Sequence, residues 1–350
     1  MPFLLYGATG YTGRLIADLA VSRGHRPTLA GRDADKLAVV AERTELDAVT
    51  VSLDDTATLD RVLTSHPLVL HAAGPFSRTS APMIEACLRT GTHYLDVTGE
   101  IEVFEALAGR DSAARRAGIT VLPGTGFDVV PTDCLAMHLK ERLPTATTLK
   151  LAIRALSSAS HGTAQTAVEN LGAGGAMRRD GQIVTVPAAH DTVEATFSDG
   201  KARRCVAIPW GDVSTAFHST GIPTITTYAA FPDTAVRVMK ASRALGPVLQ
   251  AAPVQAALRR LVSWRVSGPT EAERERGASF VWGQATDDAG GRAVATWAGP
   301  EGYAFTADAA LRSALAVLDG RADIGFQTPS TAFGADFALE MDGTSRKDVA

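Results

Sequence analysis

The chain has 350 residues, 45% of them hydrophobic and 21% charged, with a formal net charge of −4. It is long enough for two folded domains and too apolar to be a disordered segment. Its mild acidity supplies no electrostatic reason to expect a nucleic acid or an anionic membrane as partner.

Cys87, Cys134 and Cys205 lie far apart with no CxxC spacing, which excludes a disulfide framework or thiolate metal site and fits a reducing cytoplasm. The sequence opens on the apolar stretch Phe3-Leu4-Leu5-Tyr6 with no basic segment before it, so no export signal is expected. No uncharged apolar run reaches the roughly 18 residues of a membrane span. The nearest approach, Leu245 to Val266, is broken by Pro247 and Pro253 and carries Arg259, Arg260 and Arg265.

In chain order, short apolar strands alternate with helical patterns through the first 130 residues, which predicts a parallel sheet covered on both faces. Strands are expected at Phe3–Tyr6, Thr28–Ala30, Val49–Leu53, Leu68–Ala72, His93–Val97 and Ile119–Leu122. Helices are expected from about Thr12 to Gly24, over Asp33–Arg43, over Pro82–Arg89 with its stop at Gly91, and over Val103–Ala117 with its stop at Gly118. The continuous run Leu68-Val69-Leu70 suits a strand buried on both faces.

After Val130 the rhythm changes. A helix over Asp133–Arg142 leads to a longer strand, Thr148–Leu156, then to Thr- and Val-rich strands near Gln182–Val186, Lys201–Ile208 and Ile222–Ala230. Helices over Asp233–Ala244 and Val254–Trp264 precede a hairpin from Ser279 to Trp297, whose turn Asp287-Asp288-Ala289-Gly290-Gly291 tolerates positive φ. The fold class is therefore α/β: a Rossmann-type parallel-sheet domain over 1–130 and an α+β domain on a mixed or antiparallel sheet over 131–325. Residues 326–350 are expected to return to the first domain and to end in a frayed polar tail from Gly343. The helix Thr306–Asp319 and the Thr328-Pro329 segment make that return.

Gly7-Ala8-Thr9-Gly10-Tyr11-Thr12-Gly13 follows the first strand and opens the first helix. Glycines there permit a tight turn, a close backbone approach to a pyrophosphate and close helix–strand packing, and the helix N-terminus faces the phosphate charge. An NAD site would place an acid at the end of the second strand. Here Leu29-Ala30-Gly31-Arg32 puts a guanidinium there, suited to the 2′-phosphate of NADP(H), and Asp33 reads as the cap of the next helix. The segments Ala73-Gly74-Pro75-Phe76, Thr98-Gly99-Glu100 and Gly126-Phe127-Asp128 follow later strands and fall at the same carboxyl edge. The expected cofactor residues are thus Gly7, Thr9, Gly10, Tyr11, Thr12, Gly13, Arg32, Ala73, Gly74, Pro75, Phe76, Thr98, Gly99, Gly126, Phe127 and Asp128.

These motifs, together with Tyr94-Leu95-Asp96-Val97 and Val129-Val130-Pro131-Thr132-Asp133, resemble saccharopine dehydrogenase-like oxidoreductases, closest to the branch of trans-acting enoyl reductases. Beyond residue 135 the likeness is confined to Ser160-His161-Gly162-Thr163 and Thr328-Pro329. The resemblance implies an NADP-binding Rossmann domain, and a second domain that closes the active site and carries a homodimer contact. It also implies reduction of an activated C=C or C=N bond in a small or acyl-type substrate. Two alternatives stand beside it: an opine or amino-acid dehydrogenase, using Arg154, Arg203 and Arg204 for carboxylates, and a non-catalytic NADP(H)-binding sensor or scaffold.

Hydride transfer asks little of a protein beyond orientation and a placed proton donor. No tyrosine has a lysine four residues on, and Lys36 is the one lysine before residue 130, which sets aside the Tyr-x-x-x-Lys arrangement. No HExxH or similar metal motif occurs. The candidate donors are His161, Tyr94 and Asp128. His71, inside an apolar strand, reads as a core residue, and Glu100 as a group that orients cofactor or substrate.

Overall fold

The computed structural model describes residues 3–155, 168, 172, 174–241, 246–265 and 268–349. The chain divides into two compact units, Met1–Val130 with Tyr303–Phe337, and Pro131–Gly302 with Ala338–Ala350.

In the first unit, strands β1 (Leu4–Tyr6), β2 (Thr28–Gly31), β3 (Ala48–Thr50), β4 (Leu68–His71), β5 (His93–Asp96) and β6 (Thr120–Leu122) alternate with helices. These are α1 (Tyr11–Ser22), α2 (Ala34–Thr44), α3 (Thr56–Thr64), α4 (Phe76–Thr90), α5 (Ile101–Ala108) and α6 (Asp111–Ala117). Every strand pairing is parallel, in the order β6-β5-β4-β1-β2-β3, with Gly325–Phe326 added beyond β6. Alternate residues of the strands feed two cores. Leu5, Leu29 and Leu70 pack with Ile16 and with Ala310, Leu311 and Ala314 of the helix Gly302–Leu318. Leu4, Val69 and Tyr94 pack with Met83 and Ile84 on the other face. Such two-sided burial removes alternation from the strands and leaves continuous apolar runs.

Local chemistry sets several of the helix ends. Asp33 and Asp55 accept from the backbone N–H groups of Lys36 and Thr58, each at 3.1 Å, and so open α2 and α3. Gly91 and Gly118 close α4 and α6 in the left-handed conformation, with φ of 72° and 68°. Two expectations need correction here. The stretch Val103–Ala117 is two helices, parted at Gly109-Arg110, and α4 begins at Phe76 with Pro82 inside it.

The second unit holds β7 (Thr148–Ala155), β8 (Gly175–Arg179), β9 (Gln182–Val186), β10 (Thr192–Thr196), β11 (Ala202–Ala207), β12 (Thr224–Ala230), β13 (Ala278–Thr286) and β14 (Arg292–Pro300). Its sheet runs β10-β11-β12-β7-β13-β14 and ends on the strand Ser345–Val349, with the β8–β9 hairpin attached to β12. The pair β12–β7 is parallel and the other pairs are antiparallel, so the sheet is mixed. Helix Val130–Arg142 lies close on this sheet because Gly283 has no side chain: a Cβ there would stand 2.7 Å from Leu139 and 3.1 Å from Leu135.

Two expectations about the chain's last part also change. The expected helix Thr306–Asp319 does return to the first unit, but the boundary lies at Tyr303 rather than at 326, and the helix's alanine and leucine face fills the first core. The polar tail is not frayed: Ser345–Val349 pairs with β14, and Asp348 meets His138 at 2.7 Å and Arg142 at 3.1 Å. Edge pairing uses backbone groups, so a strand of polar side chains can form it. No helix among the described residues is long and apolar enough to cross a membrane.

Candidate nucleotide-binding edge

In the first unit the strand order reverses between β1 and β4, the topological switch point at which open α/β sheets bind ligands beyond their carboxyl ends. The loops after β1 and β4 meet there at backbone distance. Gly7 leaves β1 with φ +89°, and a Cβ on it would stand 2.7 Å from the carbonyl carbon of Ala72 and from the nitrogen of Ala73. Gly13 is held as tightly, since a Cβ there would overlap the Gly7 carbonyl oxygen and come within 2.9 Å of the Ala8 Cα. The turn is fixed by Gly7 N–H donating to Ala30 O at 2.8 Å and Gly10 N–H donating to Gly7 O at 3.0 Å. Helix α1 then starts at Gly10 with no side-chain cap and no acid in its first turn, which leaves its N-terminal field uncompensated by side chains. Gly10 is exposed, Thr9 and Thr12 are half-exposed, and the Tyr11 ring stands edge-on to that of Tyr303 at 5.0 Å.

Arg32 follows directly on β2, next along the sheet from β1, and is exposed. Gly31 before it faces open space, with no atom within 4 Å of a Cβ. Asp33 does not compete for the same ligand position: it caps α2 and pairs with Lys36 at 2.7 Å.

On the β4 side, Gly74 is exposed and Ala73 and Pro75 half-exposed, while the Phe76 side chain is buried. The backbone N–H groups of Phe76 and Ser77 both donate to Glu100, to Oε1 at 2.9 Å and Oε2 at 2.7 Å. Glu100, from the loop after β5, therefore caps α4 across 24 residues and pins the Gly74-Pro75 turn. His71 supports that turn from beneath. The Thr79 hydroxyl donates to Ala73 O at 2.7 Å, so at 3.0 Å from His71 Nε2 it accepts, and the imidazole is protonated on Nε2. Burial pushes the His71 pKa down to about 3, keeping the ring neutral.

The carboxyl ends of β5 and β6 are joined by Asp96, a residue whose role no local pattern exposes. Its carboxylate accepts from the Tyr94 hydroxyl at 2.6 Å and, through Oδ1, from the N–H groups of Thr98 and Gly124, each at 2.9 Å. Burial raises its pKa to about 6, and these donors pull the other way. Thr98 is buried in this network and Gly99 is half-buried against Asp128, whose Oδ2 would stand 2.8 Å from a Cβ on Gly99. Gly126 and Phe127 are held by Thr306, which accepts from Phe127 N–H at 3.0 Å, and Phe127 is buried against Phe305.

The three expected proton donors separate clearly. Tyr94 is 0% exposed with its hydroxyl committed to Asp96, so it belongs to the framework and not to a ligand-facing surface. Asp128 is half-buried at the sheet's carboxyl edge, and burial raises its pKa to about 6. His161 lies outside the described residues, as do Ser160, Gly162 and Thr163. In the second unit Arg154 and Arg203 both bind Asp199, at 2.9 and 3.1 Å, and are thereby spent. The cysteines are free and buried, and no group of metal-ligating side chains occurs among the described residues.

A parallel sheet with this glycine turn at its switch point, and an arginine beyond the neighbouring strand, defines a Rossmann-type dinucleotide-binding domain. Residues 3–122 match the family model described as Saccharopine dehydrogenase NADP binding domain. The first unit is thus similar to that NADP-binding domain over 120 of the chain's 350 residues. Among curated proteins, the chain is 27% identical over 215 residues to a trans-acting enoyl reductase of Mycobacterium ulcerans, covering 59% of this chain and 48% of that protein. It is 25% identical over 179 residues to a saccharopine dehydrogenase-like oxidoreductase of Bos taurus, covering 45% and 42%. The matched stretches span less than half the length of these two relatives. In fold, the apo saccharopine dehydrogenase (L-Glu forming) of Saccharomyces cerevisiae superposes over 100% of both chains, with a TM-score of 0.67 at 14% identity.

Proposed function

We propose that the protein is an NADP(H)-dependent oxidoreductase that reduces an activated C=C or C=N bond of a small or acyl-type substrate. The observation that carries the cofactor half is the pairing of the Gly7–Gly13 cradle, where side chains cannot fit, with the exposed Arg32 beside open space. Gly7, Gly10 and Gly13 let the backbone and the N-terminus of α1 take the pyrophosphate, with Thr9, Tyr11 and Thr12 around it. Arg32 takes the 2′-phosphate bidentately. Ala73, Gly74, Pro75 and Gly99 border the nicotinamide end, and the buried Phe76, Thr98, Gly126 and Phe127 belong to the framework that holds this edge. Bound there, NADPH supplies a hydride; the protein's part is orientation, exclusion of water and a proton.

For the proton we assign Asp128. A carboxyl group whose pKa lies near 6 is partly protonated close to neutrality and can donate, whereas an ordinary aspartate cannot. Tyr94 is not retained as a donor, because its buried hydroxyl already donates to Asp96. Resemblance to the trans-acting enoyl reductase supports the C=C form of the reaction. The opine-type alternative loses support, since two of its three carboxylate-binding arginines, Arg154 and Arg203, are engaged by Asp199.

The deciding experiment is a fluorescence titration of wild type and Arg32→Ala with NADPH and with NADH. NADPH is expected to bind at least tenfold tighter than NADH to wild type, and Arg32→Ala to erase that gap, about 1.4 kcal/mol. Equal binding of the two nucleotides by wild type, or an unchanged gap in the variant, refutes the cofactor assignment.

A further inference from the structure

The second unit contains a concavity of about 230 Å³ between its sheet edge and the helix Asp233–Ala241. Thr192 of β10 and Arg204 and Val206 of β11 form one wall, Phe231 beyond β12 another, and Arg237 and Lys240 of the helix the third. Three cationic side chains from two separate elements thus converge on one space. Spacing on the helix aids this, since residues three apart share a face.

Elsewhere on this sheet, positive charge is consumed internally: Arg154 and Arg203 share Asp199. Arg204 points to the opposite face from Arg203, as neighbours in a strand do, and no carboxylate pairs with Arg204, Arg237 or Lys240 among the described residues. Glu194 stands opposite Arg204 in the β10–β11 register but outside the lining of the concavity. Glu194 offsets the charge of Arg204 in part, and an anion bound among the three cations relieves the repulsion that is left.

We propose that this concavity is a binding site for a phosphate group, the charged end of a phosphorylated or pyrophosphate-bearing ligand. A single carboxylate would leave two of the three cations uncompensated, whereas a pyrophosphate balances them. Guanidinium groups grip phosphate oxygens in pairs, and the Thr192 hydroxyl adds a further donor. The space falls below the roughly 300–1,000 Å³ of pockets that enclose whole small molecules, so it suits a charged terminus with the remainder of the ligand outside. Val206 and Phe231 give that remainder an apolar border.

The test is calorimetric titration of the full chain with inorganic pyrophosphate at low salt, with one molar equivalent of NADP+ present to fill the nucleotide edge and leave the concavity free. Wild type should bind one pyrophosphate, and the affinity should fall as salt rises. The double variant Arg204→Gln/Arg237→Gln should weaken binding at least tenfold, Lys240→Gln should weaken it severalfold, and Glu194→Gln should strengthen it. All four side chains are exposed, so these variants should fold, and matching thermal melts check that they do. Absence of millimolar binding to wild type, or full binding by the double variant, overturns the site. Repeating the titration without NADP+ on wild type and on the double variant separates the two assignments. A site lost in the double variant belongs to this concavity even if the nucleotide reading fails, and an unchanged isotherm places pyrophosphate at the nucleotide edge and overturns the site.

Discussion

Asp128 and His71 show burial shifting two titrations in opposite senses: the acid is raised to about 6 and the base lowered to about 3. If Asp128 donates the proton, turnover should fall as pH rises through about 6. Asp128→Asn should lower kcat by roughly 10²–10⁴-fold while NADPH binding changes little. Steady-state NADPH oxidation with an enoyl or imine substrate measures both, and a flat pH profile would count against the role. His71 makes a different claim. Its folded pKa is depressed, so below the unfolded value near 6.5 the unfolded chain binds the extra proton, and stability is lost as pH falls. At pH 5 this amounts to about 2 kcal/mol. Urea unfolding at pH 7 and pH 5 should show a pH-dependent loss smaller by that amount in His71→Gln than in wild type. At this scale the sequence was most informative where chemistry is local. Arg32 and the cap formed by Asp33 follow from their neighbours in the chain. Asp96 does not, because Gly124 lies 28 residues away and nothing around Asp96 marks it as a junction.

Among the elements, α4 illustrates how a distant side chain can move a boundary. The sequence suggests a start at Pro82, since proline favours the first turn of a helix. Helix α4 instead begins at Phe76, where Glu100 receives the two leading N–H groups. Glu100→Ala should therefore destabilise the first unit by about 1–2 kcal/mol and loosen the Gly74-Pro75 turn. The expected signature is faster amide hydrogen exchange at Phe76 and Ser77, with α1 unaffected. Helix α3 was missed for a simpler reason: it is short, though Asp55 three residues before Thr58, with Leu59 and Leu63 behind it, is a readable start. Strands β8 and β10 and the strand Ser345–Val349 carry too few apolar residues to stand out. They exist because a neighbouring strand offers backbone partners.

For the whole molecule, alternating strands and helices made the first sheet legible, and the change of rhythm after Val130 marked a second kind of sheet. The expected helix Thr306–Asp319 is found as Gly302–Leu318 in the first unit, where its Ala310, Leu311 and Ala314 complete a core begun by Leu5 and Ile16. A fragment ending at Val130 should consequently expose that core. It should bind a hydrophobic dye and melt without a cooperative transition, while the same fragment joined by a linker to 303–337 should recover one. Compact behaviour of the shorter fragment would show the helix to be dispensable. The same interleaving bears on the order of events at the ribosome. Translation delivers about 5–20 residues per second, so some 170 residues of another unit emerge between Val130 and Tyr303, taking on the order of 10–30 s. Throughout that interval the glycine turn and its strands exist without the helix that closes them. The nascent chain therefore carries an unfinished apolar face while these intervening residues are made, and a holdase that shields it should improve the yield of native protein more than one acting after release.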